Sequence, residues 1–89
     1  MVQNNNKQQP QTLKELREKA QLSQRALASK LGTSHDMIVH WEKGRKVPRL
    51  DNAIALASEL GVSLRTLAKV MGFDVSRLPN DEEVIEQKK

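Results

Sequence analysis

Two histidines, His35 and His40, are the side chains of this sequence with the widest range of possible chemistry, since the chain has no cysteine. An imidazole can act as a general base, a metal ligand or a hydrogen-bonding group. On a helix, residues five apart lie about 140° apart around the axis, so these two rings share no face on which to hold a metal. The sequence has no Gly-rich phosphate loop, and neither histidine has a nucleophile in a recognisable arrangement. We therefore predict a protein that is not an enzyme and that uses no metal or cofactor.

A basic segment, residues 43–49, reads KGRKVPR and contains no acid. Its cations are Lys43, Arg45, Lys46 and Arg49. With a net charge of +4 for the whole chain, this cluster favours a polyanionic partner. The same composition is also typical of an ordinary solvated loop, so the charge alone does not decide between the two.

Start and stop signals along the chain predict five short helices and an all-α fold. Thr12 and Glu15 form a capping box, in which each side chain would bind the other's free backbone N–H, at the start of the first helix. The other helices are predicted at residues 24–31, 35–43, 50–60 and 64–71. Serines precede three of them, and glycines follow the last four. A further capping box, Asn80 with Glu83, would begin one more turn.

Apolar residues at helical spacing define the predicted core, which has a single tryptophan and few other aromatics. The inward positions are Leu13, Leu16, Ala20, Leu27, Leu31, Ile38, Trp41, Ala53, Ile54, Leu56, Ala57, Leu60, Leu67 and Val70. Phe73 and Leu78 are expected to fold back on the fifth helix and close this core.

The second and third predicted helices are separated only by Gly32, Thr33 and Ser34. A short turn containing glycine is typical of a helix-turn-helix, although an antiparallel pair of helices can use the same turn. Three further features favour the helix-turn-helix: Gln24 at the start of the second helix, Trp41-Glu42 at the end of the third, and the basic segment that follows.

Residues 13–48, together with residues 50–67, resemble the phage-repressor (Cro-like) helix-turn-helix family, also called the xenobiotic-response-element (XRE) family. The matching motif elements are Leu22-Ser23-Gln24, Leu31-Gly32, Ile38, Trp41-Glu42 and Gly44. The resemblance implies a compact five-helix, lambda-repressor-like domain whose third helix lies in the DNA major groove. It also implies a cytoplasmic, nucleoid-associated transcriptional regulator, a repressor that binds double-stranded DNA as a homodimer. Finally, it implies that Arg17 and Glu42 form a buried structural ion pair.

The outer face of the third helix carries the candidate base-reading residues. Ile38 and Trp41 must face the core, which turns the opposite side of the helix outward. In the family that the sequence resembles, four of the outward positions commonly read bases: those matching Ser34, His35, Asp36 and His40. Val39 lies on the same outward side of the helix. The candidates are Ser34, His35, Asp36, Val39 and His40. The imidazoles could donate to guanine or accept when neutral, Asp36 could accept from cytosine, and Val39 could pack on a thymine methyl.

Phosphate contacts are predicted around this helix. The free N–H groups at the start of the second helix, beside Gln24, suit a phosphate oxygen. Lys43, Arg45, Lys46 and Arg49 would follow the DNA backbone and add affinity that depends on salt.

The predicted organisation is a disordered polar arm at residues 1–11, the domain at 12–78, and an acidic tail at 79–89 that could include a short helix. No membrane span is predicted.

The alternative function is a protein-interaction module, such as an antitoxin or a bridging factor, with secondary DNA binding. The acidic tail could serve an unknown protein partner or self-association, and so could five apolar residues near the fifth helix: Val62, Leu64, Phe73, Val75 and Leu78.

Overall fold

Five α-helices form the part of the chain that the computed structural model describes, residues 11–79. They are α1 (Leu13–Lys19), α2 (Gln24–Leu31), α3 (His35–Glu42), α4 (Leu50–Leu60) and α5 (Leu64–Val70). The predicted all-α class and the five helices are confirmed, with α3 and α5 each ending one residue earlier than predicted. Most of the predicted N-terminal arm, the predicted capping box at Asn80 and most of the acidic tail lie outside the described residues.

Side-chain caps begin four of the helices. The hydroxyls of Thr12, Ser23, Ser34 and Ser63 each accept a hydrogen bond from the backbone N–H three residues later. The predicted capping box at α1 is only half formed: Glu15 accepts from the backbone N–H of Gln11 at 2.7 Å and not from that of Thr12. The Glu15 carboxylate thus pairs with the backbone N–H of Gln11, the residue before the N-cap.

The core lies where α2 packs against α3 and α4, while α1 covers α3 and α5 covers α4. Leu27, Ile38, Leu56 and Leu67 are fully buried, and Trp41 is 3% exposed. Ile54 was predicted in the core and is 54% exposed, which corrects that prediction. It lies about 100° around α4 from Ala53, outside the narrow stripe that Ala53, Leu56, Ala57 and Leu60 present to the core.

The chain after α5 folds back onto this helix but does not close the core. The Arg65 guanidinium donates to the carbonyl of Val75 at 3.0 Å and to that of Leu78 at 2.7 Å. Phe73 and Leu78 both remain 50% exposed. Together with neighbours on α4, α5 and the loop before α4 they line a shallow depression, called here the apolar groove; its exposed members are Val47, Leu50, Leu64, Phe73 and Leu78.

Candidate nucleic-acid interface

The turn between α2 and α3 sets the position of α3. Gly32 has a φ of +69°, a left-handed conformation that ends α2 and that a glycine adopts without strain. The Thr33 N–H then donates to the Ala28 carbonyl at 2.9 Å, and the Ser34 hydroxyl caps α3. Three residues are therefore enough to reverse the chain and bring α3 against α2.

α3 has a buried side and an exposed side, as the sequence predicts. Ile38 is fully buried and Trp41 nearly so, while Met37 packs at the edge of the core. The five candidate base-reading residues lie on the remaining surface, called here the outer face of α3. Ser34 and Asp36 are exposed, and the other three are half-buried: His35, Val39 and His40.

Arg17 and Glu42 join α1 to the end of α3. Arg17 Nε lies 2.5 Å from Glu42 Oε2, and both side chains are less than a tenth exposed. A second guanidinium nitrogen donates to the Leu22 carbonyl at 2.9 Å. The pair that the resemblance implies is thus present, and it links α1, the turn before α2, and α3.

Gln24 extends this ion pair to the outer face of α3. Its amide Nε2 donates to Glu42 Oε1 at 3.0 Å, and its Oε1 lies 2.9 Å from His35 Nε2. The four side chains form one continuous hydrogen-bonded series, called here the Arg17–His35 network: Arg17, Glu42, Gln24 and His35. From the sequence, Gln24 was expected to lie at a phosphate site, and its contact with His35 was not predicted. The only signal was that both residues occupy the first turn of their helices.

His40 is held differently from His35. Its Nδ1 is buried and has no hydrogen-bond partner among the described residues. A ligand outside the protein could therefore reach this ring only through Nε2. Such an unpaired buried nitrogen costs free energy.

The basic segment begins directly at the end of α3. Lys43, Arg45 and Lys46 are all exposed, and the chain is turned there by Gly44 with a φ of +74°. The Arg45 N–H donates to the His40 carbonyl at 2.9 Å, which keeps the segment beside the outer face. Three cations thus stand in solvent next to the candidate base-reading residues.

Arg49, the fourth cation, is already paired within the chain. Its guanidinium donates to the Asp51 carboxylate, with Nη2 2.7 Å from Oδ2. This hydrogen bond, followed by one from the Asn52 backbone N–H, holds the pKa of the Asp51 carboxyl below its ordinary value. The same contact raises the pKa of Arg49. Sequence reasoning did not anticipate Asp51 as a partner.

α2 and α3 are capped helices joined by a short turn that contains a glycine, and the outer face of α3 lies beside exposed cations. These features define a DNA-binding helix-turn-helix domain. The chain belongs to the XRE-type helix-turn-helix family, whose model, described as "Helix-turn-helix", matches residues 13–67, more than half of its length. The five helices agree with a lambda-repressor-like fold. No curated protein and no solved structure shows significant similarity to the chain.

Membership of the family assigns the chain to DNA-binding transcription regulators, a class that is typically non-enzymatic. Within residues 11–79, every helix falls short of the length and apolarity needed to cross a membrane.

Proposed function

We propose that this protein is a small transcriptional repressor that binds a specific double-stranded DNA sequence with α3 in the major groove. The observation that carries the proposal is the outer face of α3, where five side chains with base-reading chemistry lie beside three exposed cations. An α-helix fits the major groove of B-DNA, where each base pair presents a distinct pattern of donors and acceptors. Such a repressor would act in the cytoplasm, on the nucleoid.

Different residues of the outer face suit different base edges. His40 would use Nε2, because its Nδ1 is enclosed. Asp36 would accept from a cytosine amino group, and Val39 would contact a thymine methyl. Ser34 keeps its hydroxyl proton available, since its oxygen accepts from the Met37 N–H.

Phosphates would be bound on both sides of α3. The start of α2 offers backbone N–H groups and the positive end of the helix dipole, next to Gln24. Lys43, Arg45 and Lys46 are free to meet the backbone that follows α3, and Arg49 would join them by leaving Asp51. Each phosphate contact positions the protein and makes its affinity fall with salt, without reading sequence.

A second copy of this chain is the proposed occupant of the apolar groove. Ten hydrophobic residues of the described range, 11–79, are buried in the core, which is small for a stable domain, and further apolar surface is exposed at α5 and its flanks. Pairing two copies there would bury that surface and present two outer faces to a two-fold symmetric operator. The half-sites would then lie about 34 Å apart along the duplex.

The second candidate function is a protein-interaction module, such as an antitoxin or a bridging factor, for which DNA binding is secondary. The same apolar groove favours it, because a different protein could cover Leu50, Leu64 and Phe73 as well as a second copy could. Salt separates the two functions: binding through several phosphates weakens steeply as salt rises, whereas an apolar protein interface does not.

Fluorescence anisotropy tests the proposal with two labelled duplexes, one from the region upstream of the protein's own gene and one of scrambled sequence. We expect both to bind with a steep salt slope and the native duplex to bind more tightly by orders of magnitude. If neither duplex binds at low salt, the proposal fails and the protein-interaction function is favoured.

A further inference from the structure

The Arg17–His35 network has a fixed direction that begins at Glu42. An ionised carboxylate only accepts hydrogen bonds, and this one faces Arg17 and Gln24. Gln24 must therefore turn its NH₂ group towards Glu42. The carbonyl oxygen of the same amide consequently faces His35, which is the orientation found at 2.9 Å. The amide orientation thus follows from the chemistry of its neighbour.

The direction of the network determines which ring nitrogen of His35 carries a proton. An amide oxygen only accepts, so the His35 Nε2 that lies against it must be protonated. In the neutral ring, the other nitrogen is then unprotonated and accepts hydrogen bonds. Gln24 therefore sets His35 in the Nε2–H tautomer, with Nδ1 as an acceptor.

Nδ1 of His35 is also the nitrogen that an outside ligand can reach. It has no hydrogen-bond partner among residues 11–79, and unlike Nδ1 of His40 it is not enclosed by protein atoms. The two histidines of the outer face thus offer opposite ring nitrogens to DNA. His35 offers Nδ1 as an acceptor, whereas His40 offers Nε2.

We propose that His35 reads its operator position as a hydrogen-bond acceptor, through Nδ1, and so selects a base with an exocyclic amino group, adenine or cytosine. This inference rests on the proposed DNA-binding function and names the chemical group that one of its residues recognises. In the major groove, adenine N6 and cytosine N4 carry donor protons, whereas guanine N7 and O6 only accept. Gln24 is the positioning residue for this choice, acting through the His35 ring.

A first experiment reads the tautomer without DNA. In the full chain at pH 8, where an imidazole is ordinarily neutral, ¹⁵N NMR separates protonated from unprotonated ring nitrogens. We expect protonated Nε2 and unprotonated Nδ1 at His35. In Gln24→Lys, an ammonium that only donates would face both Glu42 and His35, and the tautomer should reverse. Protonated Nδ1 in the neutral wild-type ring would overturn the proposal, whether or not the variant folds.

A second experiment reads the group that is recognised. Duplexes are selected from a random-sequence pool with the wild type and with His35→Ala, and the position whose preference is lost in the variant is assigned to His35. At that position, adenine is replaced by purine, or cytosine by 2-pyrimidinone, to remove the amino group. The matched control is the 7-deaza purine, which removes the N7 acceptor of the same base pair.

We expect loss of the amino group to weaken wild-type binding about tenfold, and loss of N7 to leave it unchanged. For Gln24→Lys, we expect the opposite: loss of N7 should weaken binding, and loss of the amino group should leave it unchanged. The reverse pattern in the wild type, sensitivity to N7 alone, overturns the inference while leaving the DNA-binding function intact. If no sequence is enriched from the pool, both the inference and the DNA-binding function are overturned. The NMR result then shows whether the tautomer of His35 was assigned correctly.

Discussion

The Arg17 side chain is buried, and its guanidinium is satisfied by Glu42 and by the Leu22 carbonyl. Replacing a buried ion pair as a whole can be nearly neutral, but removing one partner leaves a buried charge without its counter-charge. The contribution of the pair to stability is therefore best seen in single variants. Gln24 and His35 belong to the same network. Loss of the ion pair should therefore also disturb the position of His35 on the outer face of α3.

Arg17→Met should lower the free energy of unfolding by about 3–5 kcal/mol, because the Glu42 carboxylate would stay buried with only Gln24 as a donor. Urea denaturation measures this change. Arg25→Met is the matched control, since Arg25 is exposed on α2 and its loss should change stability by no more than about 0.5 kcal/mol. Equal effects of the two substitutions would contradict a structural role for the Arg17–Glu42 pair.

His40→Phe should separate stability from DNA binding. The substitution keeps an aromatic ring but removes the buried, unpaired Nδ1, so stability should rise by about 1 kcal/mol. Loss of Nε2 should at the same time reduce the preference for the native duplex about tenfold. Thermal unfolding and anisotropy measure the two effects. A variant that is less stable and yet keeps its full preference would show that His40 serves packing and not base reading.

Among the features of the helices, the sequence predicts those that depend on groups close together in the chain. Ser23, Ser34 and Ser63 cap their helices and Gly32 and Gly61 end theirs, because a cap or a left-handed residue depends on only a few neighbouring groups. Ile54 was misplaced because apolar character does not reveal how narrow the buried stripe of α4 is. The roles of the outer-face residues of α3 in base reading stay predictions.

Contacts that depend on tertiary placement could not be predicted. Gln24 meets His35 only because the turn after Gly32 folds α3 across α2, and either residue alone would be ordinary on a helix surface. Arg49 and Asp51 are two residues apart, a spacing at which side chains on a helix do not face each other. They meet because Arg49 is extended, as the N-cap of α4.

Asp51→Asn should make Arg49 available to phosphate, so that DNA affinity rises and the salt slope increases by about one phosphate contact per copy. The pH dependence of stability should change as well. A carboxyl whose pKa is lowered by folding stabilises the fold above its unfolded pKa, about 3.9, and this contribution is lost as the pH falls through the lower folded pKa.

The wild type should therefore lose stability relative to Asp51→Asn as the pH is lowered from about 4. Thermal unfolding across this pH range measures the difference. Both side chains are largely exposed, so a small effect is expected. Parallel pH profiles, together with unchanged DNA affinity, would show that the Arg49–Asp51 pair has neither role.

At the scale of the whole molecule, the apolar groove and the outer face of α3 are separate surfaces, so their functions can be tested separately. Phe73→Ser should abolish the proposed homodimer while α3 keeps its structure, because Phe73 is half-exposed and lies after α5. Sedimentation at tens of micromolar, with and without the native duplex, should then show a monomer. The salt slope of binding should fall by about half, since one copy makes half of the phosphate contacts.

Ile54→Ser is the matched control for the groove, because Ile54 is an equally exposed aliphatic residue that does not line it. This variant should sediment as the wild type does. A wild-type protein that stays monomeric with and without DNA would contradict the homodimer and leave the groove to a different protein.

In the proposed function, the outer face of α3 and the basic segment form the DNA-binding surface. The most direct test is a ¹H–¹⁵N NMR titration of the full chain with the duplex from upstream of its own gene. We expect little change on the exposed side of α1. The largest shifts should fall on the start of α2, on residues 43–46 and on four residues of the outer face: His35, Asp36, Val39 and His40. Shifts confined to the apolar groove, or no shifts at low salt, would contradict this DNA-binding surface.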